Sequence, residues 1–392
     1  MIFCKPHTDE SFKVTISIVI IFLISFLFSY KYLSKFTSYG LLLSIILLFI
    51  QITAIIILFK SLSLRQFIEK RFNIIVLYSI LLMVIFTIII HFLIDVNSIN
   101  VDRWSVIESF WQAVFSGDYP YAARSNMDNL PGPMPVYFLI SLPFYLTGEQ
   151  AILSASGFVL LFISIKDNSN NVNYSFIILL LTLTSLFTYW EIAVRSNIFT
   201  FSILITAILI YFDSIDKNRY DKRFILSAVL TGLLLSTRIV FALVYLIYYI
   251  SLVIEGKAKL KSIILYFAIS AIIFLLTFLP FILLYGNSFW KDNPFITQSS
   301  LLNSDILVYV YILLSLIFSL ISKNKNDRFF FIGITLFLIT AIYFIIQIFS
   351  FGLDTYIHSS VIDISYFLFC LPFLFIYLLQ TGRDIKLSEI KH

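Results

Sequence analysis

Charge is what this chain has least of. Of its 392 residues only 12% are charged and 60% are hydrophobic, with a mean hydropathy of +0.97. That balance excludes a soluble globular domain and a disordered chain. Cysteine is scarce as well. Cys4 and Cys370 stand at opposite ends, which leaves no disulfide framework and no cysteine-based zinc site. Cys4 comes before any apolar core, so a lipoprotein cysteine is excluded too. The four histidines, His7, His91, His358 and His392, are scattered and form no HExxH motif, and neither a Walker A sequence nor GxGxxG occurs. Zinc and a bound nucleotide are therefore not indicated. The short alternating segments of a membrane barrel are missing. The net charge of +5 sits in short loops, where it reports orientation and not a nucleic-acid face.

What the chain has instead is long apolar runs, such as Val14–Tyr30 and Asn73–Ile94, each about the 20 residues that a helix needs to cross hydrocarbon. The expected fold is all-α, a polytopic helical bundle of about twelve membrane spans with a juxtamembrane helix on its outer face. The spans are placed near 13–30, 39–59, 73–94, 150–166, 174–190, 196–212, 224–236, 239–254, 262–284, 305–322, 329–350 and 361–379. The first is read as retained, because KYLSKF follows it and offers no cleavage site.

Loop charge assigns the sides. Residues 60–72 carry four basic residues against Glu69, and 255–261 and 322–328 each carry three against one acid. The loop from Asp95 to Pro135 carries five acids against Arg103 and Arg124. Basic loops stay in the cytoplasm, so the acidic loop faces outward and both termini lie inside. Lys31 and Lys35 break the pattern by falling outside. Crossing parity from that loop to the inner loop at 166–173 makes 134–147 a half-helix or a tilted interfacial segment. It also places Glu191, Arg195, Asn197 and Arg238 at the outer end.

Residues 102–116 have helical periodicity, with Trp104, Ile107, Trp111, Val114 and Phe115 on one face. Such a helix lies in the interface. Asp102, at its start, is either a general base favoured as the anion by the helix dipole or a simple N-cap. Arg103 and Arg124 either clamp phosphate or pair within an acidic loop. Asp118 and Asp128 read as turn formers. Glu191 and Arg195 are spaced to pair across one helical turn. Arg238, alone in an apolar stretch, needs an anion: a lipid phosphate or Glu191. Tyr119 and Tyr121, with Trp104 and Trp111, stack on sugar or anchor the loop. His358, Asp354 and Asp363 line the outer cavity or belong to a merely polar loop.

The segment VDRWSVIESFWQAVFSGDYPYAARSNMDNLPGPMPVYF, followed by WEIAVRSNIFTFS and LSTRIVFALVY, resembles the GT-C superfamily of membrane glycosyltransferases. The likeness covers about residues 73–285, leaving 1–72 as two accessory spans and 286–392 as C-terminal helices. The resemblance implies a polyprenyl-phosphate sugar donor and a catalytic or orienting carboxylate at Asp102. Here that aspartate is followed by arginine instead of a second acid, which argues against a metal-dependent subclass, so no cofactor is expected. The expectation is an inverting transfer to a glycan, lipid or protein acceptor at the outer face of a bacterial plasma membrane. Arg195, Arg238 and Arg103 would receive the leaving phosphate and Glu191 would orient an arginine or a sugar hydroxyl. The competing readings are a transporter or flippase of a lipid-linked or small polar substrate, an O-antigen polymerase or ligase, and a non-catalytic assembly subunit.

Overall fold

The computed structural model describes residues 8–167, 172–299 and 305–389. Cys4, His7, His392 and the centre of the inner loop at 166–173 lie outside them. The described chain is 81% helix and contains no strand, so the all-α expectation holds.

The chain opens with three long helices: α1 (Thr8–Phe36), α2 (Gly40–Lys60) and α3 (Leu62–Leu93). A Cβ on Gly40 would stand 2.4 Å from the Ser34 backbone, so glycine is what lets α2 fold back tightly on α1. Ser61 caps α3, its hydroxyl accepting the Leu64 N–H at 3.2 Å. That cap starts α3 about a dozen residues ahead of the expected position. Its buried positions, Ile68, Phe72, Val76, Ser79, Met83, Thr87 and Ile90, recur every three or four residues and give one inward stripe. Leu77, Ile85 and Phe92 point outward.

A short helix, α4 (Arg103–Ser116), then leads through the acidic loop to α5 (Pro135–Leu146) and α6 (Ala151–Asp167). The last two meet at 111°, so 135–146 is indeed a separate short segment. Next come α7 (Val172–Thr184) and α8 (Leu186–Ala193), bent by 55° at Ser185. Polar side chains serve this break. The Ser185 hydroxyl donates to Ser25 Oγ at 2.9 Å, and Gln51 Nε2 donates to Thr184 Oγ1 at 3.0 Å. Broken helices at membrane depth need such partners.

The remaining helices are α9 (Ile198–Asp213), α10 (Lys222–Leu235), α11 (Phe241–Ile254), α12 (Leu260–Leu276), α13 (Leu279–Tyr285), α14 (Asn287–Lys291), α15 (Pro294–Ser299), α16 (Asp305–Ile321), α17 (Lys325–Phe351), α18 (Leu353–His358) and α19 (Leu371–Glu389).

Among the described residues five helices are long and apolar enough to cross a membrane, or seven if each bent pair is one span. This fits a helical membrane protein, with fewer full-length spans than the twelve expected. The shortfall has a simple cause. Helices of the length of α9, α11 and α16 reach only about 21–26 Å at 1.5 Å per residue, against a hydrocarbon core of about 30 Å.

The bundle has two chemically distinct ends. At one, two of the loops read as basic, 255–261 and 322–328, meet the end of α9. Arg328, at the start of α17, donates to Glu255 after α11 and to Asp213 at the end of α9. Lys325 pairs with Asp213 at 3.2 Å, Lys257 with Glu255 at 2.6 Å, and Lys13 of α1 with Asp327 at 2.7 Å. The acidic loop and a large cavity lie at the other end, roughly 22 Å along α17.

Candidate functional site

The cavity encloses about 790 Å³. Its wall includes Asp102, Arg103, Arg238 and Asp363, four of the residues singled out from the sequence, together with Lys31 and Tyr366. The wall ignores the sequence-based division of the chain: α1, the acidic loop and the segment after α18 all contribute.

Asp102 sits at the N-terminal boundary of α4, but its side chain makes no cap hydrogen bond. Its Oδ2 instead accepts from Asn129 Nδ2 at 2.7 Å and from the Ser125 hydroxyl at 3.3 Å. Among the described residues no donor reaches Oδ1. One carboxylate oxygen is thus anchored and the other is open, which is what a proton acceptor needs. The loop that carries Asn129 is itself folded by turn chemistry. Asp128 has φ +61°, and Arg124 donates to the Asp128 carbonyl at 2.8 Å. Arg124 therefore pairs within the loop and Asp128 serves the turn. Asp118 is exposed.

Arg103 pairs with Asp363 and donates to Ser365 Oγ at 3.0 Å. Burial opposes ionisation of Asp363, but the Arg103 guanidinium and the hydroxyl and N–H of Ser365 hold its carboxyl below the usual range. This pair fastens the start of α4 to the C-terminal part of the chain and neutralises Arg103.

Arg238 is placed by main-chain bonds. The helix breaks after Leu235, and the Ser236 and Thr237 carbonyls accept the Val136 and Met134 N–H groups at 3.0 and 3.1 Å. The break holds Arg238 against the rings of Tyr137 and Phe369, at 5.7 and 5.9 Å. Arg238 is only 6% exposed, yet among the described residues it has neither a carboxylate partner nor a hydrogen-bond acceptor. Glu191, proposed from the sequence as its partner, is not one.

A second, apolar cavity of about 370 Å³ opens beside the first, between α11, α16 and α17. Arg238, Gln298, Tyr343 and Tyr366 line both. Gln298 fixes this junction: its Nε2 donates to the Gly132 carbonyl at 2.6 Å, and its Oε1 accepts the Ile239 N–H at 2.8 Å.

The other residues singled out from the sequence lie outside both walls. Glu191 is fully buried and its Oε1 accepts the Phe199 N–H at 3.0 Å, capping α9. Arg195 does not pair with Glu191 across a helical turn. Helix α8 ends at Ala193 and Arg195 has φ +58°, which turns its side chain to Glu149, at 3.3 Å. Glu149 also meets His91, at 2.7 Å. Asn197 Oδ1 accepts from the Ser154 hydroxyl at 3.0 Å. Tyr119 donates to the Asp292 carbonyl, and Tyr121 packs among Phe110, Phe138 and Phe281. Trp104 is buried and Trp111 donates to the Phe138 carbonyl at 3.2 Å, so both fasten α4. His358 and Asp354, expected beside Asp363 at the cavity, instead meet each other on the surface, at 3.5 Å.

Three features escaped sequence reasoning. Lys31 and Lys35 were legible only as exceptions to the loop-charge pattern. Glu149 stands alone in a short loop and gives no sign of its partner. Gln298 lies in α15, a helix too short for periodicity to mark. Among the described residues no three His, Cys, Asp or Glu side chains gather as metal ligands. Comparison of the chain with protein-family models, curated proteins and solved structures gave no match.

Proposed function

We propose that the protein is a membrane glycosyltransferase of GT-C type that moves a sugar from a polyprenyl-phosphate carrier to an acceptor hydroxyl. The observation that carries this reading is Arg238. The residue is 6% exposed, its guanidinium has no acceptor among the described residues, and it is set where a polar cavity containing an aspartate meets an apolar one. A buried, unpaired cation is costly unless an anion joins it. An amphiphile with a phosphate between a sugar and a hydrocarbon chain matches that order of surfaces.

In this reaction Asp102 Oδ1 takes the proton of the acceptor hydroxyl. The hydroxyl oxygen attacks the anomeric carbon, and the bond from that carbon to the phosphate oxygen breaks. The electron pair leaves on the phosphate, and Arg238 stabilises the charge. Asn129 and Ser125 keep the carboxylate oriented. Arg103 is occupied by Asp363 and acts as a brace. A transporter is disfavoured, because the cavity chemistry gathers at one end of the bundle and not in paired halves near its middle.

The test uses purified protein in lipid, a panel of labelled polyprenyl-phosphate sugars, and release of free polyprenyl phosphate as the readout. The wild type should turn over one donor, and Asp102→Asn should lose at least about a hundredfold with folding intact. Equal turnover in both proteins removes Asp102 from the chemistry. Failure of every donor to bind removes the lipid-carrier reading.

A further inference from the structure

The charge on the cavity wall is unbalanced. Lys31, Lys35, Arg103 and Arg238 face only two carboxylates, Asp102 and Asp363. Asp363 is taken by Arg103, and Asp102 is held by neutral groups. Asp363 also acts on Lys31, but that one carboxylate is shared with Arg103, so with one anion at Arg238 the wall still carries one more positive than negative charge, on the lysines of α1. They stand one helical turn apart on the same face. Lys31 is 2% exposed and directs one N–H to the Ile362 carbonyl, at 2.6 Å; an ammonium has three donors. Lys35, at the exposed end of α1, lies over the Tyr32 ring at 5.3 Å and has no ion-pair partner among the described residues. Surplus positive charge on a cavity wall attracts an anion, most strongly beside the buried Lys31.

We infer that Lys31 and Lys35 form a second anion subsite, separate from Arg238, so that the occupied cavity holds two anionic groups, the second a phosphate or a carboxylate. This deepens the reading above and rests on it for the cavity's role as the substrate site. The second group belongs either to a diphosphate linkage in the carrier or to an anionic acceptor. In both cases α1 is part of the binding site and not an accessory span.

Binding separates the sources without requiring turnover. The full chain is placed in phosphatidylcholine nanodiscs and titrated with polyprenyl phosphate, polyprenyl diphosphate and inorganic phosphate. Lys35→Gln is the informative variant, because Lys31 also holds a main-chain carbonyl. If the carrier supplies the second anion, the diphosphate binds about tenfold tighter than the monophosphate. Lys35→Gln then removes that preference, Lys35→Arg keeps it, and monophosphate binding is unchanged in both. If the acceptor supplies it, the two lipids bind alike and inorganic phosphate binds the lipid-saturated wild type but not Lys35→Gln. Wild type and Lys35→Gln behaving identically toward all three probes would overturn the subsite. Lys35-dependent phosphate binding with no lipid binding would keep the subsite and remove the lipid-carrier reading.

Discussion

Arg238 is folded into a position that folding alone does not favour. A buried guanidinium without an acceptor destabilises the empty protein. Arg238→Gln should therefore raise the stability of the ligand-free protein by about 1 kcal/mol and, on the proposed function, abolish the thermal stabilisation expected from polyprenyl phosphate. A lower melting temperature in the variant would mean that Arg238 has a structural partner. Asp363 behaves oppositely. Asp363→Asn strands Arg103 and should cost about 3 kcal/mol at neutral pH. Because the folded carboxyl titrates below its ordinary value of 3.8, its contribution is complete above that value and is lost as pH falls through the folded value. The gap between wild type and variant, measured by denaturation across pH, should close in acid; a constant gap would deny the ion pair its role. At this scale the sequence was readable where a charge interrupts an apolar run, as at Arg238, and where charges open a periodic helix, as at Asp102 and Arg103. It misled at Lys31 and Lys35, because a lysine at a helix end is the usual signature of orientation and its cavity partners are hundreds of residues away.

Helices were readable from apolar length, and their breaks only partly. The short segment at 135–146 was visible because parity required it. The bend at Ser185 was not, because its partners Ser25 and Gln51 come from other helices. The Glu191–Arg195 pairing failed for a local reason: the spacing works only in a continuous helix, and this one stops at Ala193. Glycine controls helix approach in a way that periodicity does not reveal. A Cβ on Gly232 of α10 would stand 2.4 Å from the Ser270 carbonyl oxygen of α12. Gly232→Ala should force these helices apart and lower stability by about 2 kcal/mol, read as a drop in melting temperature. An unchanged melting temperature would show that α12 moves freely against α10.

The molecule as a whole separates its charges by end. The loops after α9 and α11 and the one before α17 meet around the buried Arg328, while the acidic loop and the cavity occupy the other end. The two ends should fall on opposite sides of the membrane. In a variant lacking native cysteines, single cysteines at Asp118 and Lys259 should react with an impermeant maleimide from opposite faces, Asp118 from outside. Labelling of both from one face would refute the arrangement. The sequence indicated this polarity through loop charge alone, because that signal is local to each loop. The composition of the cavity wall was hidden, because it depends on which distant segments pack together.

That dependence has a consequence for biosynthesis. Lys31 and the carbonyl that it holds at Ile362 are 331 positions apart, so at roughly 5–20 residues per second a ribosome makes the second tens of seconds after the first. For all that time Lys31 lacks its acceptor, and Arg103 waits for Asp363. The cavity wall is incomplete until the last helices are made, so a stalled or truncated product would leave Lys31 and Arg103 without these two partners.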